Sequence, residues 1–132
     1  MALYAIADTH LSLLVPKPMD IFGNRWKGYV EKLSSLWKNI VNDGDTVIIA
    51  GDISWGMTLE ESLEDLRFID ALPGKKVLLR GNHDYWWSTP SKIRAFFEEN
   101  GISTISILQN DSMICENTLI CEVTTSRIFL GL

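Results

Sequence analysis

The chain carries two histidines, and each sits in a short polar cluster that follows an apolar run. Ala7-Asp8-Thr9-His10 follows Leu3 to Ile6, Gly51-Asp52 follows Thr46 to Ala50, and Gly81-Asn82-His83-Asp84 follows Val77 to Leu79. Two carboxylates (Asp8, Asp52), two imidazoles (His10, His83) and an amide oxygen (Asn82) make a hard-to-borderline donor set without thiolate. Such a set suits Mn, Fe or Zn held for chemistry better than a structural zinc knot. A carboxylate in the middle could bridge two ions, and two ions about 3.5–4 Å apart can hold a phosphoryl oxygen and acidify water. One imidazole would be left to protonate a leaving alcohol, its pKa lying near working pH. Taken singly, each cluster has a plainer reading. An Asp after a strand caps helices or forms turns, and Gly-Asn-His-Asp makes ordinary turns. Only their joint placement argues for a site.

That placement depends on the elements. Leu3 to Ala7, Thr46 to Ala50 and Lys75 to Arg80 read as buried strands, the second rich in β-branched residues. Between the first two, residues 11 to 23 form a loop with Pro16, Pro18 and Gly23, and Asn24 is the expected N-cap of a helix from about Arg25 to Val41. Trp26, Tyr29, Val30, Leu33, Leu36, Trp37, Ile40 and Val41 recur at spacings of three and four, predicting one wide buried stripe. A capping box, Thr58 with Glu61, opens a second helix whose inner face is Leu59, Leu63, Leu66, Ile69 and Leu72, stopped by Pro73-Gly74. Pro90 suits the first turn of a third helix, with Ile93, Phe96 and Phe97 facing in and Asn100-Gly101 as its stop. Ile102 to Leu108 and Ser112 to Val123 read as short strands around an Asn110-Asp111 turn. Alternating strands and helices predict an α/β fold with a parallel β-α-β-α-β core and right-handed crossovers. Ligands in such sheets bind beyond the carboxyl ends of the strands, where all three clusters fall.

Composition sets the bounds. At 132 residues, 46% hydrophobic and 22% charged, the chain is expected to form one domain, 1–132, with a packed core. A net charge of -5 argues against a nucleic-acid surface or a polybasic membrane anchor. An acidic chain can still bind a phosphorylated partner if metal ions supply local positive charge. Cys115 and Cys121 are too few for a disulfide framework and are expected to be reduced, partly buried thiols. Neither a signal-peptide pattern nor a stretch of about 18 apolar residues is seen, which leads to the expectation of a cytoplasmic, non-membrane protein. Trp86-Trp87 is expected to pack inside, with a substrate-contacting wall as the lesser reading, and Lys17, Arg25 and Lys27 to form a solvated face.

In order and spacing, Asp8-x-His10, Gly51-Asp52 and Gly81-Asn82-His83-Asp84 resemble the first three motifs of the calcineurin-like metallophosphoesterases. The resemblance covers roughly residues 3–90. It implies an α/β sandwich with a dinuclear centre of two divalent ions (Mn, Fe or Zn) and metal-dependent hydrolysis of a phosphate ester. Carried over by position, it implies that Asp8 and His10 ligate the first metal and that Asp52 bridges. Asn82 would then ligate the second metal, with His83 as the general acid.

The chain departs from that family in ways that set further expectations. Its later histidine and Gly-His-x-His motif have no counterpart, since neither histidine follows His83. The protein Ser/Thr phosphatase branch carries Gly-Asp-x-x-Asp-Arg-Gly, whereas here Trp55 stands where the second Asp would be. Residues 122–132 fit no clear element, so the chain is expected to be an N-terminal portion, a fragment or a form truncated after about Cys121. An incomplete sandwich would leave apolar sheet surface for a second copy of the chain to cover. A metal-dependent phosphoester hydrolase acting on an unidentified phosphorylated substrate is the leading reading. The alternatives are an inactive metal-binding relict and a non-enzymatic α/β interaction module.

Overall fold

The computed structural model describes residues 1–14 and 28–122. Four strands, β1 (Leu3–Ile6), β2 (Thr46–Ala50), β3 (Lys75–Leu79) and β4 (Ile105–Ile107), form a parallel sheet in the order β1-β2-β3-β4. The connections carry α1 (Tyr29–Ile40), α2 (Leu59–Asp70) and α3 (Pro90–Glu99). A winding that always steps the same way with right-handed crossovers must place every helix on one face of the sheet. The core follows that rule. Val47, Ile49, Leu78, Ile105 and Ile107 pack with Trp37 of α1, Leu66 and Ile69 of α2, and Ile93 and Phe97 of α3. Each fully buried aliphatic of this layer contributes about 1.5–3 kcal/mol.

The opposite face is covered by a hairpin, β5 (Asp111–Cys115) and β6 (Thr118–Glu122). Met113 and Ile120, paired across the hairpin, pack on Ile48, Val77 and Leu108. The run from Ser112 onward is thus a strand pair, with Cys115 and Cys121 on its two strands. Glu116 and Asn117 turn it back, with φ of 47° and 58° between the paired Cys115 and Thr118. Two consecutive left-handed residues are the signature of a tight hairpin turn, and glutamate is an unusual occupant that hid it. The hairpin also corrects the cysteines. Both thiols are free, Cys115 is half-buried, and Cys121 is exposed on the outward side with Ile114 and Leu119.

Helix α1 differs from expectation in extent and burial. Gly28, at φ 66°, is not helical, so α1 begins at Tyr29. Asn24, Arg25, Trp26, Lys17 and Lys27 lie outside the described residues, as do residues 123–132. Of the expected stripe, Trp37 and Val41 are buried, but Leu36 and Ile40 are 60% and 54% exposed. Together with Tyr4 and Ile6 on the edge strand β1 they line an open apolar groove of about 200 Å³. Apolar exposure among the described residues thus falls both beside the β1 edge and on the outward side of the hairpin.

Helices α2 and α3 start as their sequences require. Thr58 accepts from the Glu61 amide, while the Glu61 carboxylate reaches back to the Met57 amide. Thr89 caps α3 ahead of Pro90, and α3 stops at Asn100-Gly101, with Gly101 at φ 69°. Lys76, fully buried in β3, donates to the Asp70, Leu72 and Gly74 carbonyls and so closes the C-terminal end of α2. Burial pushes its pKa down, against the pull of Asp70 and Asp43. Among the described residues no helix is long and apolar enough to cross a membrane.

Candidate metal centre

Pairing between the first two strands continues past their ends. The Asp8 amide donates to the Gly51 carbonyl (3.1 Å), His10 to Asp52 (3.0 Å), Leu11 to Ile53 (2.9 Å), and Trp55 back to Leu11 (2.9 Å). The Thr9 hydroxyl adds a bond to the Ile53 carbonyl. This zipper holds two loops, far apart in sequence, side by side. It also bends them sharply, because Asp8, His10 and Asp52 have φ of 58°, 45° and 49°. For an L residue that conformation costs about 1–2 kcal/mol, least for Asp. It persists where the surroundings over-determine it, and the Tyr29 hydroxyl donating to the His10 carbonyl at 2.6 Å is one such constraint. The outcome is chemical. One donor atom from each of Asp8, His10 and Asp52 falls within 4.8 Å of the others.

The third loop joins through two glycines. A Cβ on Gly51 would sit 2.7 Å from the Gly81 Cα, and one on Gly81 would land inside the Asp52 amide and carboxylate. Only this bare contact lets the end of β3 approach β2 closely enough for His83 to reach Asp52. The His83 amide donates to Asp52 Oδ1 at 2.9 Å, and its Nδ1 lies 3.0 Å from Oδ2. Burial pushes the Asp52 carboxyl up, but the two bonds from His83 and the nearby imidazoles outweigh it and hold the pKa below the usual range. Asn82 stands exposed on the turn between Gly81 and His83, and Asp8 is exposed, whereas His10, Asp52 and His83 are half-buried.

A family model of calcineurin-like phosphoesterases matches residues 1–129. The chain belongs to that family. A phage relative, the gene 66 protein of Mycobacterium phage L5, is 44% identical over 52 residues, 39% of this chain and 25% of the phage protein. The crystal structure of a protein of unknown function from Aquifex aeolicus superposes with a TM-score of 0.57 at 23% identity. That match covers 90% of this chain and 58% of the Aquifex one, and it shows a shared fold. The chain thus spans a quarter of the phage protein and little more than half of the Aquifex chain. Calcineurin-like phosphoesterases use divalent metals, and Asp8, His10 and Asp52 form a group that could hold an ion. Both Asp52 oxygens already accept from His83, so any ion there must share them.

Two further carboxylates build this site without pointing into it. Asp84 is buried beneath the turn. Its Oδ1 accepts from the Ile53 amide (2.8 Å), the Ser54 amide (3.3 Å) and Trp86 Nε1 (3.0 Å), and its Oδ2 from the Gly81 amide (2.7 Å). It therefore ties the loop after β3 to the loop after β2. Asp65 of α2 is equally buried, accepting from the Leu13 amide (2.8 Å) and the Ser54 hydroxyl (2.6 Å), and so joins the first two loops. Burial pushes both carboxyls up, partly offset by these donors. The sequence reading gave neither a role. Asp65 did carry a signal, since Ser62, Asp65, Leu66 and Ile69 share one buried face of α2. Trp86 and Trp87 are buried, donating to Asp84 and Gln109, which makes them packing residues.

Proposed function

We propose that this chain forms the metal-binding part of a metal-dependent phosphoester hydrolase. The observation that carries the reading is the convergence of Asp8, His10 and Asp52 from two strand ends, with His83 from a third bonded to Asp52. Asp8, His10 and Asp52 would hold one divalent ion, and Asp52 and Asn82 would serve a second; Mn, Fe and Zn all suit these ligands. Bound ions would supply positive charge to phosphate oxygens and lower the pKa of water. With a chain charge of -5, a phosphorylated substrate meets net repulsion unless such charge is present.

The protein's own residues supply orientation and a proton. Asp52 fixes His83 through Nδ1 and the backbone amide. The other ring nitrogen, on a side chain 45% exposed, is then the one free to give a proton to the leaving alcohol. The test is manganese binding by calorimetry on the 132-residue chain beside Asp52→Asn, followed by turnover of an aryl phosphate diester. We expect binding by the wild type, at least tenfold weaker in the variant because the shared carboxylate is lost. A wild type that binds no manganese would sink the reading.

A further inference from the structure

The indole of Trp55 lies between the two imidazoles of the site. Its ring stacks on His10 at 5.3 Å between centroids and 27° between planes, and stands 6.2 Å from His83 at 45°. Tyr85 also meets His83, edge-on at 6.2 Å and 85°. These spacings fall in the range where ring pairs attract through dispersion and quadrupoles. The backbone that carries Trp55 is fixed on both sides. Ile53 and Ser54 are bonded to Asp84, the Ser54 hydroxyl to Asp65, the Gly56 amide to Ser54, and the Trp55 amide to Leu11. Gly56 cannot take a side chain, because a Cβ there would meet Ser62 at 2.8 Å. So many constraints on one short loop hold the indole where it meets both histidines.

We infer that Trp55 is a positioning residue for the candidate metal centre: a rigid aromatic spacer that sets the plane of His10 and packs beside His83, which Asp52 holds through Nδ1. An imidazole ligand binds well only when its lone pair already points at the ion, and groups that fix ring orientation typically change metal affinity 10–100-fold. His10 sits on a strained backbone at φ 45°, so its ring direction is not secured by backbone preference. The stacked indole supplies that control. Trp55 touches no reacting atom in this scheme, and the inference rests on the metal-binding reading above.

Two measurements on the full chain test it and separate its failure from that of the parent reading. The first needs no metal. The chain has two histidines, so a proton–carbon spectrum shows two sets of imidazole signals. Ring current from Trp55 must displace both, and Trp55→Leu, which fills space without a π face, should move both toward free imidazole positions. Trp55→Phe should keep most of the displacement. The second is manganese affinity, expected to fall about tenfold in Trp55→Leu and about two- to threefold in Trp55→Phe, with urea midpoints showing that each variant is folded. Trp55→Ala is the harsher variant, and Trp55→Leu carries the test if it does not fold. Unchanged imidazole signals in Trp55→Leu overturn the inference whether or not manganese binds. Wild-type binding with equal affinity in Trp55→Leu overturns it as well, whereas a wild type without binding strikes at the parent reading alone.

Discussion

Replacing Asp84 by asparagine should loosen the centre without removing any candidate ligand. The buried carboxylate accepts three hydrogen bonds on Oδ1, from Ile53, Ser54 and Trp86, and one on Oδ2, from Gly81. Asparagine has nearly the same shape but a single acceptor. With its oxygen in the Oδ1 place it keeps three bonds and turns its NH2 toward the Gly81 N–H, donor against donor. The reverse orientation loses three bonds, so the first will be adopted. One bond to a charged acceptor is lost, worth about 1.5–3 kcal/mol, and the Gly81 amide is half-buried, which moderates the cost. We therefore expect about 2 kcal/mol of destabilisation for Asp84→Asn. Asp84→Ala, which orphans all four donors, should cost about 4 kcal/mol. Against a total of about 5–15 kcal/mol, the asparagine variant still folds.

Urea unfolding at pH 7, followed by the fluorescence of the five tryptophans, reads the stability change directly. Manganese calorimetry reads its consequence at the site. Gly81 touches Asp52 through bare backbone, so releasing its amide lets the third loop drift from the second, and affinity should fall about tenfold. An Asp84→Asn variant within 0.5 kcal/mol of wild type, with unchanged affinity, would refute the idea that this carboxylate is the joint between the loops.

Two further outcomes follow from the same geometry. Gly81→Ala should lose about 3 kcal/mol or more, since its Cβ would occupy the place of the Asp52 amide and carboxylate. Gly101→Ala, at φ 69° with nothing within 4 Å, should lose only about 1 kcal/mol, so equal costs in urea unfolding would defeat the close-packing argument. Asp65 has a pKa raised by burial, so its contribution to stability is full below the unfolded value of about 3.9 and is lost as pH rises through the folded value. Asp65→Asn has no such proton to lose, so its stability relative to wild type should improve between about pH 4 and pH 7; a flat or opposite trend in paired urea titrations would show that the buried carboxyl is not strained by its charge.

How much of this was legible in the sequence depends on which interaction fixes each feature. β2 and α2 are legible because continuous apolar runs and a capping box are local signals, and β3 ends with its apolar run at Leu79, one residue short of the expected Arg80. The approach of Asp8, His10 and Asp52 to one another is legible because a parallel sheet must deliver its strand ends to one edge. Periodicity could not report the left-handed backbone at Asp8, His10 and Asp52, which the neighbouring loops impose. Nor could it distinguish Asp84 from a surface acid, because the Ile53 and Ser54 amides that it ties to its own loop lie 31 and 30 residues away. For α1 it identified the apolar face but not what covers it, and Leu36 and Ile40 stand exposed there. The same limit explains how Asp52 and His83 were given separate tasks. Their residue types suit a bridge and an acid, and only the Gly51–Gly81 contact makes one carboxylate both candidate metal donor and histidine anchor. A substitution that loosens this contact should therefore disturb metal binding and imidazole orientation together, because one pair of oxygens serves both.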